Sequence, residues 1–331
     1  MGINIISTGS YVPEQSVTND ELTKFVETND EWIKTRTGIS SRHISAWEPT
    51  WHMGAEACKK AIEKSGINPD DIGLIICCTI TNDFHTPSVA CIIQNEIKAF
   101  NAMAFDLNAA CTGYIYAVDT ARRFLETEDN MKYAIVVASE NLSRITDFTD
   151  RSTCILFGDG ASAAIIEKSD KLYSSYLASD GSGARTLFAR CIDRKEEFAD
   201  DTEFDDGFVD LVKSRKHALV QNGKEVYKFA TKALPKALEG AAKKINITAD
   251  DIDVIVPHQA NLRIIETAAK NMQVSMEKII VTLDHNGNTS SASVPLAFDE
   301  ALEKGMIKRG DKVCIVGFGA GLTYGAIIFE Y

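Results

Sequence analysis

The residue best suited to nucleophilic chemistry is a cysteine that follows a short apolar stretch. Ala104–Leu107 is predicted as a buried strand; small residues then lead to Cys111, and apolar residues recur at helical spacing after it. Cys111 is therefore predicted at a strand-to-helix junction, where free N–H groups and the helix dipole favour a thiolate and lower the thiol pKa. Gly113 and the flanking alanines leave room for a substrate. Taken alone, Cys111 also fits a buried structural cysteine.

Two candidate hydrogen-bond donors lie in the second half of the chain. His258 directly follows the predicted buried strand Val254–Pro257, where a histidine can project into a cleft and donate a hydrogen bond or exchange a proton. The alternative is a histidine in a surface loop. Asn288 lies among small polar residues, and its amide can donate to an oxyanion without ionising. The alternative there is an Asn-Gly turn followed by a helix cap.

A glycine motif near the C-terminus, Gly317–Gly321, has the spacing of a nucleotide-binding loop. Only ten residues follow Gly321, so no βαβ unit and no ribose-binding acid can follow it. The sequence therefore disfavours a nicotinamide enzyme. The glycines are expected either to let a backbone N–H approach a reacting carbonyl or to form a plain turn between strands.

Composition limits the classes of partner. The 331 residues are 45% hydrophobic and 25% charged, which is typical of a globular protein. A formal net charge of −12 makes nucleic acid an unfavourable general partner. The eight cysteines form no CxxC pair and no metal-ligand spacing with histidine, and no apolar run is long enough to span a bilayer. With no signal peptide, we expect a cytoplasmic protein that binds neither metal nor membrane.

Two similar series of elements indicate that the chain is built from related α/β halves. In each series a helical stretch and an acidic turn precede a short strand rich in β-branched residues, ending at Asp70–Ile76 and at Asp250–Val256. The stretches Ile155–Ile166 and Ile315–Ile328 also resemble each other, because in each a glycine-rich segment leads into an apolar run.

We therefore expect two halves, residues 1–167, which carry the cysteine, and residues 168–331, which carry the histidine and the asparagine. One stretch is strongly polar, Asp193–Asp206, and it is predicted to be a solvated surface insertion that could reshape the rim of a pocket.

Taken together, the motifs resemble those of the β-ketoacyl-acyl-carrier-protein synthase III family, within the thiolase superfamily, nearly from end to end. The matching stretches, in chain order, are Gly9–Pro13, Asp30–Ile33, Thr35–Ile39, Ala109–Cys111, Phe157–Ala161, Pro257–Asn261 and Gly287–Ser290. The resemblance implies a five-layer αβαβα fold assembled as a homodimer. It also implies a decarboxylative Claisen condensation of an acyl-CoA primer with malonyl-acyl-carrier protein, which initiates fatty acid synthesis, with no cofactor because acyl-CoA is a substrate.

The resemblance assigns a role to each site residue. Cys111 carries the acyl group, His258 and Asn288 serve malonyl decarboxylation, and the backbone N–H groups of Cys111 and Ala320 hold the oxyanion. The remaining assignments are coenzyme A binding by Trp32, Arg36, Arg151 and Asn261, carrier-protein docking by Lys228, Arg263 and Lys270, and an acyl-pocket position at Thr86.

Three departures from the family pattern bear on specificity. Ala320 replaces a common glycine, Gln221 stands where an apolar residue is usual, and Thr86 is smaller than the phenylalanine of acetyl-preferring relatives. Thr86 therefore favours longer or branched primers. Two alternatives stay open: a related condensing enzyme or acyltransferase of specialised metabolism, and a non-catalytic partner subunit, which the retained cysteine, histidine and asparagine disfavour.

Overall fold

The protein is described by a computed structural model that covers residues 2–191 and 217–331. The predicted insertion Asp193–Asp206 lies outside the described residues. Within the described ranges, two large sheets form the centre of the molecule, and no helix combines the length and the apolar character that a membrane crossing needs.

The first sheet has five strands, and one of its interior strands is a nearly continuous buried apolar run. That composition is typical of a strand covered on both faces. In spatial order the strands are β1 (Gly2–Tyr11), β7 (Gly160–Ser169), β6 (Tyr133–Glu140), β4 (Ile72–Cys78) and β5 (Met103–Leu107). Strand β4, which lies between β6 and the edge strand β5, is parallel to both of them, whereas β7 pairs antiparallel with β1 and β6.

The second sheet has four strands, ordered β11 (Val254–Pro257), β12 (Lys312–Gly319), β13 (Thr323–Glu330) and β8 (Tyr173–Ser179). β11 is parallel to β12, and the other pairs are antiparallel. Two short ribbons complete the strands: β2 (Ser16–Thr18) with β3 (Ser41–His43), and β9 (Leu187–Phe188) with β10 (Val220–Gln221).

Helices cover both sheets and also separate them. They are α1 (Asp30–Thr37), α2 (Thr50–Ser65), α3 (Val89–Glu96), α4 (Gly113–Thr127), α5 (Arg151–Cys154), α6 (Gly223–Lys244), α7 (Leu262–Met272), α8 (Leu283–Asn286) and α9 (Ser293–Glu303). α4 and α9 contact both sheets from between them, α2 and α3 cover the outer face of the first sheet, and α6 and α7 cover the second. The predicted five-layer αβαβα fold is confirmed.

The strands of the first sheet come from residues 2–169 and those of the second from residues 173–330. The division into two related halves, 1–167 and 168–331, stays a prediction. One part of the sequence similarity between the halves has no structural counterpart. Residues 315–319 lie in β12, whereas residues 155–157 follow the short helix α5 and join a sheet-like contact only through the bridge from Phe157 to Asn288.

Candidate active site

Cys111 lies where the sequence predicts it, between a strand and a helix. After β5, a single turn, Ala110–Thr112, leads into α4, and Ala110 takes the left-handed conformation with φ +47°. Cys111 is 9% exposed and lines a cavity of about 890 Å³. The thiol is therefore reachable from the cavity but otherwise enclosed.

The predicted lowering of the Cys111 pKa is wrong. Burial raises the pKa of the thiol to about 12, because the thiolate loses its hydration; a contact with the Ser290 hydroxyl lowers it in part, and the carboxylate of Glu140 raises it further. The prediction considered only the following helix. Segments distant in sequence enclose the thiol, and this burial raises its pKa.

His258 follows β11 as predicted, and its surroundings keep it neutral. Its backbone N–H donates to the Val316 carbonyl at 2.8 Å, its ring meets Phe318 edge-on with centroids 5.3 Å apart, and its Nδ1 lies 2.6 Å from the Ser293 hydroxyl. His258 is 1% exposed, and burial lowers its pKa to about 3. At neutral pH the imidazole is an uncharged donor and acceptor.

Asn288 is fixed through both its backbone and its side chain. Its N–H donates to the Leu156 carbonyl at 2.8 Å, and its own carbonyl accepts the Gly158 N–H at 3.1 Å. The side-chain Oδ1 accepts the Ser290 N–H at 2.9 Å. Because Oδ1 is engaged, the amide nitrogen is the side-chain group left to donate to a ligand.

The end of β12 lies against the cysteine turn, and this explains the glycines there. A Cβ on Gly319 would lie 2.7 Å from the Cys111 nitrogen, so a side chain at that position would displace the turn. The Thr323 hydroxyl lies 2.6 Å from that of Thr112 and 3.0 Å from the Ala320 carbonyl. These contacts join the two backbone segments whose N–H groups are predicted to hold an oxyanion.

One cavity joins most of the predicted site residues. Those that line it are Cys111, His258, Asn288, Ala320, Arg36, Asn261, Lys228 and Arg263. Much of the remaining wall is apolar, including Leu142, Phe157, Leu187, Leu219, Ile264 and Phe318. A cavity with an apolar interior and basic residues in its wall suits an acyl chain on a long arm that ends in phosphates.

Trp32 and Arg151 do not line this cavity but lie close to one of its residues. The guanidinium carbons of Arg36 and Arg151 are 4.4 and 4.6 Å from the centroid of the Trp32 ring. These distances fit cation–π contacts. Arg151 also donates to the Glu27 carbonyl at 2.9 Å. The three predicted coenzyme A residues Trp32, Arg36 and Arg151 thus form one group.

Asn261 and Arg263 connect α7 to α1. The Asn261 side chain caps α7 by accepting the Arg263 N–H at 2.9 Å, and it donates to the Arg36 carbonyl at 3.1 Å. The Arg263 guanidinium donates to the Thr35 carbonyl, an uncharged acceptor, at 2.8 and 3.1 Å. Lys228 forms an ion pair with Glu225 at 2.7 Å.

Two predicted site residues lie outside the cysteine cavity. Lys270 is exposed near the end of α7. Thr86 is exposed and lines a second cavity of about 570 Å³, which shares Ile80 with the first. Within a single chain, Thr86 is therefore not part of the wall around Cys111.

A buried carboxylate near the site was not found from the sequence. Glu140 ends β6 and accepts the Ile80 N–H at 3.0 Å and the hydroxyls of Thr81 and Ser291 at 3.0 and 2.7 Å. Burial raises its pKa, and these donors partly compensate. In the sequence, an acidic residue at the end of an otherwise mainly apolar strand could have indicated this buried carboxylate. No group of three residues able to hold a metal ion occurs in the part of the chain that the structure describes.

The chain is similar to known proteins over nearly its whole length. Family models described as 3-Oxoacyl-[acyl-carrier-protein (ACP)] synthase III and as its C-terminal part match residues 105–181 and 242–331. The chain is 47% identical to Beta-ketoacyl-[acyl-carrier-protein] synthase III of Clostridium acetobutylicum, over 99% of this chain and 98% of that protein. It is 44% identical to the protein of the same name from Clostridium tetani, over 99% and 98%.

Solved structures also superpose on this chain over nearly its whole length. The 3-oxoacyl-[acyl-carrier-protein] synthase III of Aquifex aeolicus superposes with a TM-score of 0.89 at 35% identity, over 100% of both chains. The priming β-ketosynthase of the R1128 polyketide biosynthetic pathway superposes with a TM-score of 0.88 at 34% identity, over 99% of this chain and 96% of that chain.

Proposed function

Since the chain belongs to the 3-oxoacyl-[acyl-carrier-protein] synthase III family, we propose that Cys111, His258 and Asn288 are its catalytic residues. The enzyme is an acyltransferase that condenses an acyl-CoA primer with malonyl-acyl-carrier protein and so initiates fatty acid synthesis. The observation that carries the assignment is that three distant segments bring a thiol, a neutral imidazole and a carboxamide to one cavity. Those are the groups that thioester transfer and decarboxylation require.

The first half-reaction acylates the cysteine. The Cys111 thiol loses its proton as its sulfur attacks the acyl-CoA carbonyl, and the backbone N–H groups of Cys111 and Ala320 hold the oxyanion. The carbon–sulfur bond to coenzyme A then breaks, and coenzyme A leaves as its thiol with that proton. The acyl group stays on the enzyme as a thioester.

The second half-reaction forms the carbon–carbon bond. Malonyl-carrier protein loses carbon dioxide, and its thioester oxygen becomes an enolate that accepts hydrogen bonds from His258 Nε2 and the Asn288 amide. The enolate carbon attacks the acyl-cysteine carbonyl, the cysteine thiolate leaves and takes a proton from water to restore the thiol, and 3-ketoacyl-carrier protein is released. These two half-reactions balance without an oxidant, a reductant or a metal, so we propose that the enzyme uses no cofactor.

For coenzyme A, we propose that adenine binds at the Trp32 ring. The guanidinium groups of Arg36 and Arg151 contact that ring, and a bound adenine would compete with them for it and leave them to pair with phosphates. Asn261, which lines the cavity beside Arg36, would hold the pantetheine arm.

For the carrier protein, we propose docking on a basic surface at the cavity mouth, formed by Lys228, Arg263 and Lys270. Two observations support it: α6 carries further exposed lysines four residues apart, including Lys224 and Lys232, and Lys224, Lys228 and Arg263 line the cavity. Carrier proteins are acidic, so this surface complements them. Arg263→Glu should raise the KM for malonyl-carrier protein and leave the rate of acylation by acyl-CoA unchanged; an unchanged KM would contradict the docking site.

We also propose a homodimer that acts in the cytoplasm. β5 lies at the edge of its sheet, and large apolar side chains are exposed at its start, with Met103 at 45% and Phe100 at 64%. Such an edge is a template for pairing with a second copy. The eight free cysteines suit a reducing compartment.

In this dimer, we propose that Thr86 reaches the acyl end of the partner's cavity. Thr86 precedes α3, and Asp106 on β5 accepts the first N–H groups of that helix, from Val89 and Ala90, at 2.8 Å. The exposed segment around Thr86 is therefore tied to the proposed dimer edge.

The test of the function is a panel of acyl-CoA primers, from acetyl to branched and medium-chain, offered with malonyl-carrier protein. Both the acyl-enzyme adduct and the 3-ketoacyl product are measured. We expect both, with branched or longer primers preferred because Thr86 is small. Similarity to the R1128 priming ketosynthase supports a second candidate, a condensing enzyme of specialised metabolism. Acyl-enzyme without condensation on malonyl-carrier protein would favour that candidate and contradict the first.

A further inference from the structure

The role proposed for His258 depends on which ring nitrogen carries its proton. A neutral imidazole has one N–H donor and one acceptor, and only the Nε2–H form can donate from Nε2 to an enolate oxygen. The partner of the other nitrogen selects the form. That partner is Ser293, the first residue of α9, whose Oγ lies 2.6 Å from His258 Nδ1. Ser293 is 2% exposed, so water does not compete freely for it.

The hydrogen bonds around Ser293 determine the direction of this contact. Its Oγ also accepts the backbone N–H of Gln259 at 3.2 Å. If Nδ1 carried the ring proton, Oγ would accept two hydrogen bonds, and its own proton would have no acceptor among the described residues. A buried hydroxyl proton without an acceptor is unfavourable, because it loses its hydrogen bond to water and gains none in the protein. The arrangement that satisfies every group has the Ser293 hydroxyl donating to Nδ1 and the ring proton on Nε2.

Side-chain hydrogen bonds of Gln259 fix the segment beside this contact. The Gln259 side chain donates to the carbonyls of Pro257 and Ile280 at 2.7 and 3.1 Å, and its oxygen accepts the Thr282 N–H at 2.9 Å. The Gln259 N–H is therefore held in place toward Ser293, and the hydroxyl has one direction left in which to donate.

We propose that Ser293 is a positioning residue for the condensation, which holds His258 in the Nε2–H form and so supplies a donor to the enolate oxygen. The proposal rests on the function assigned to His258 above. It concerns only the second half-reaction, since Ser293 has no part in the acylation of Cys111 as written above. Burial keeps the His258 ring uncharged. Ser293 therefore determines which ring nitrogen carries the proton, and it does not determine the charge of the ring.

The kinetic test compares Ser293→Ala, Ser293→Thr and His258→Ala. Ser293→Ala should lower kcat for condensation roughly 10- to 100-fold, by analogy with the loss of hydrogen-bond partners that orient metal-bound histidines, and leave the rate of Cys111 acylation within about twofold. Ser293→Thr, which keeps the hydroxyl, should restore most of kcat. The matched control is Ser174→Ala, a buried serine on β8 whose hydroxyl donates to the Ala241 carbonyl at 2.7 Å. It should change neither rate.

The direct test is the nitrogen NMR spectrum of the wild-type enzyme labelled with ¹⁵N-histidine, with His258→Ala used to assign its signals among the six histidines. We expect Nε2 protonated and Nδ1 unprotonated. A proton on Nδ1 would overturn the proposal even if Ser293→Ala failed to fold. Unchanged condensation in Ser293→Ala alongside its loss in His258→Ala would also overturn it and leave the proposed function intact. Unchanged condensation in His258→Ala would instead overturn the proposed function itself.

Discussion

Cys111 and His258 are both buried in one cavity, and burial shifts their pKa values in opposite directions. The thiol pKa is raised to about 12 and the imidazole pKa is lowered to about 3. Both groups are therefore uncharged at neutral pH. Cys111 has to lose its proton during attack, whereas His258 is already in the form that donates a hydrogen bond.

Mutations of different site residues should impair the two half-reactions independently. Cys111→Ala should abolish acylation yet retain some malonyl decarboxylation, because the enolate donors remain. His258→Ala or Asn288→Ala should lower condensation by about 100-fold or more through loss of decarboxylation, since one oxyanion donor is worth about 3 kcal/mol. Acyl-enzyme formation and carbon dioxide release are measured separately. Decarboxylation that survives in the His258 and Asn288 variants at the wild-type rate would refute these roles.

The pKa shifts also predict how each half-reaction depends on pH. Because the Cys111 pKa is raised to about 12, the thiolate fraction increases about tenfold per pH unit below that value. The acylation rate should therefore rise from pH 6 to 9 without a plateau. Because the His258 pKa is lowered to about 3, His258 stays neutral above about pH 4, and decarboxylation by Cys111→Ala should be flat from pH 5 to 8. Stopped-flow acylation assays check the first prediction, and a plateau below pH 8 would contradict it.

At the residue scale, the sequence predicts that Cys111, His258 and Asn288 meet in one cavity, but it does not predict their ionisation. Cys111, His258 and Asn288 follow strands or lie in small polar turns, so their positions can be inferred from local patterns. Their pKa values depend on enclosure by segments up to two hundred residues away. The contacts of Glu140 and Ser293 also join distant segments, and no spacing in the sequence indicates them.

At the scale of elements, the site depends on how closely the end of β12 approaches the turn before α4. Gly319 allows this approach, because any Cβ would lie 2.7 Å from the Cys111 nitrogen. The buried β-branched runs predict the strands. The same apolar pattern would predict a strand at residues 155–157. In the structure, Ile155 and Leu156 instead form a turn, and Phe157 pairs with Asn288 through an isolated bridge.

Gly319→Ala should therefore displace the Cys111 turn and lower the acylation rate, by up to about 100-fold if the shift approaches 1 Å. The matched control is Gly181→Ala, since a Cβ at Gly181 meets nothing within 4 Å and its φ is not in the left-handed region. Both variants are compared in acylation rate and in thermal unfolding midpoint. An acylation rate for Gly319→Ala equal to that of the control would show that the close approach is not required.

At the scale of the whole molecule, the cavity is lined by residues from distant parts of the chain: Ile80, Cys111 and Leu142 follow strands of the first sheet, and Phe318 lies in β12 of the second. The family resemblance predicts the layered fold, whereas the repeated series of elements predicts only two related α/β halves. The hydrophobic patterns of the sequence do not predict the order of strands in each sheet. Strands such as β4 and β11 are as apolar as other buried strands, so composition does not distinguish their neighbours. Thr86 lies outside its own chain's cysteine cavity, and in the proposed dimer it would reach the acyl end of the partner's cavity.

The β5 edge should form the dimer interface. Phe100→Asp combined with Met103→Asp should give a monomer, because two charges per copy would be buried without partners. Sedimentation velocity measures the assembly state. Met306→Asp, which changes another exposed methionine (51% exposed) outside β5, is the control and should remain dimeric. A wild-type monomer, or a double variant that still dimerises, would contradict the proposed interface.

Cys111 is proposed to carry the acyl group, and peptide mapping by mass spectrometry after incubation with acyl-CoA reveals which cysteine is acylated. Accessibility alone favours the exposed thiols of Cys91 and Cys191, whereas the site geometry selects the 9% exposed Cys111. We predict a single acyl adduct on the peptide that contains Cys111, which malonyl-carrier protein then discharges with formation of the 3-ketoacyl product. An adduct on any other cysteine that is discharged into product, with Cys111 unmodified, would show that Cys111 is not the nucleophile.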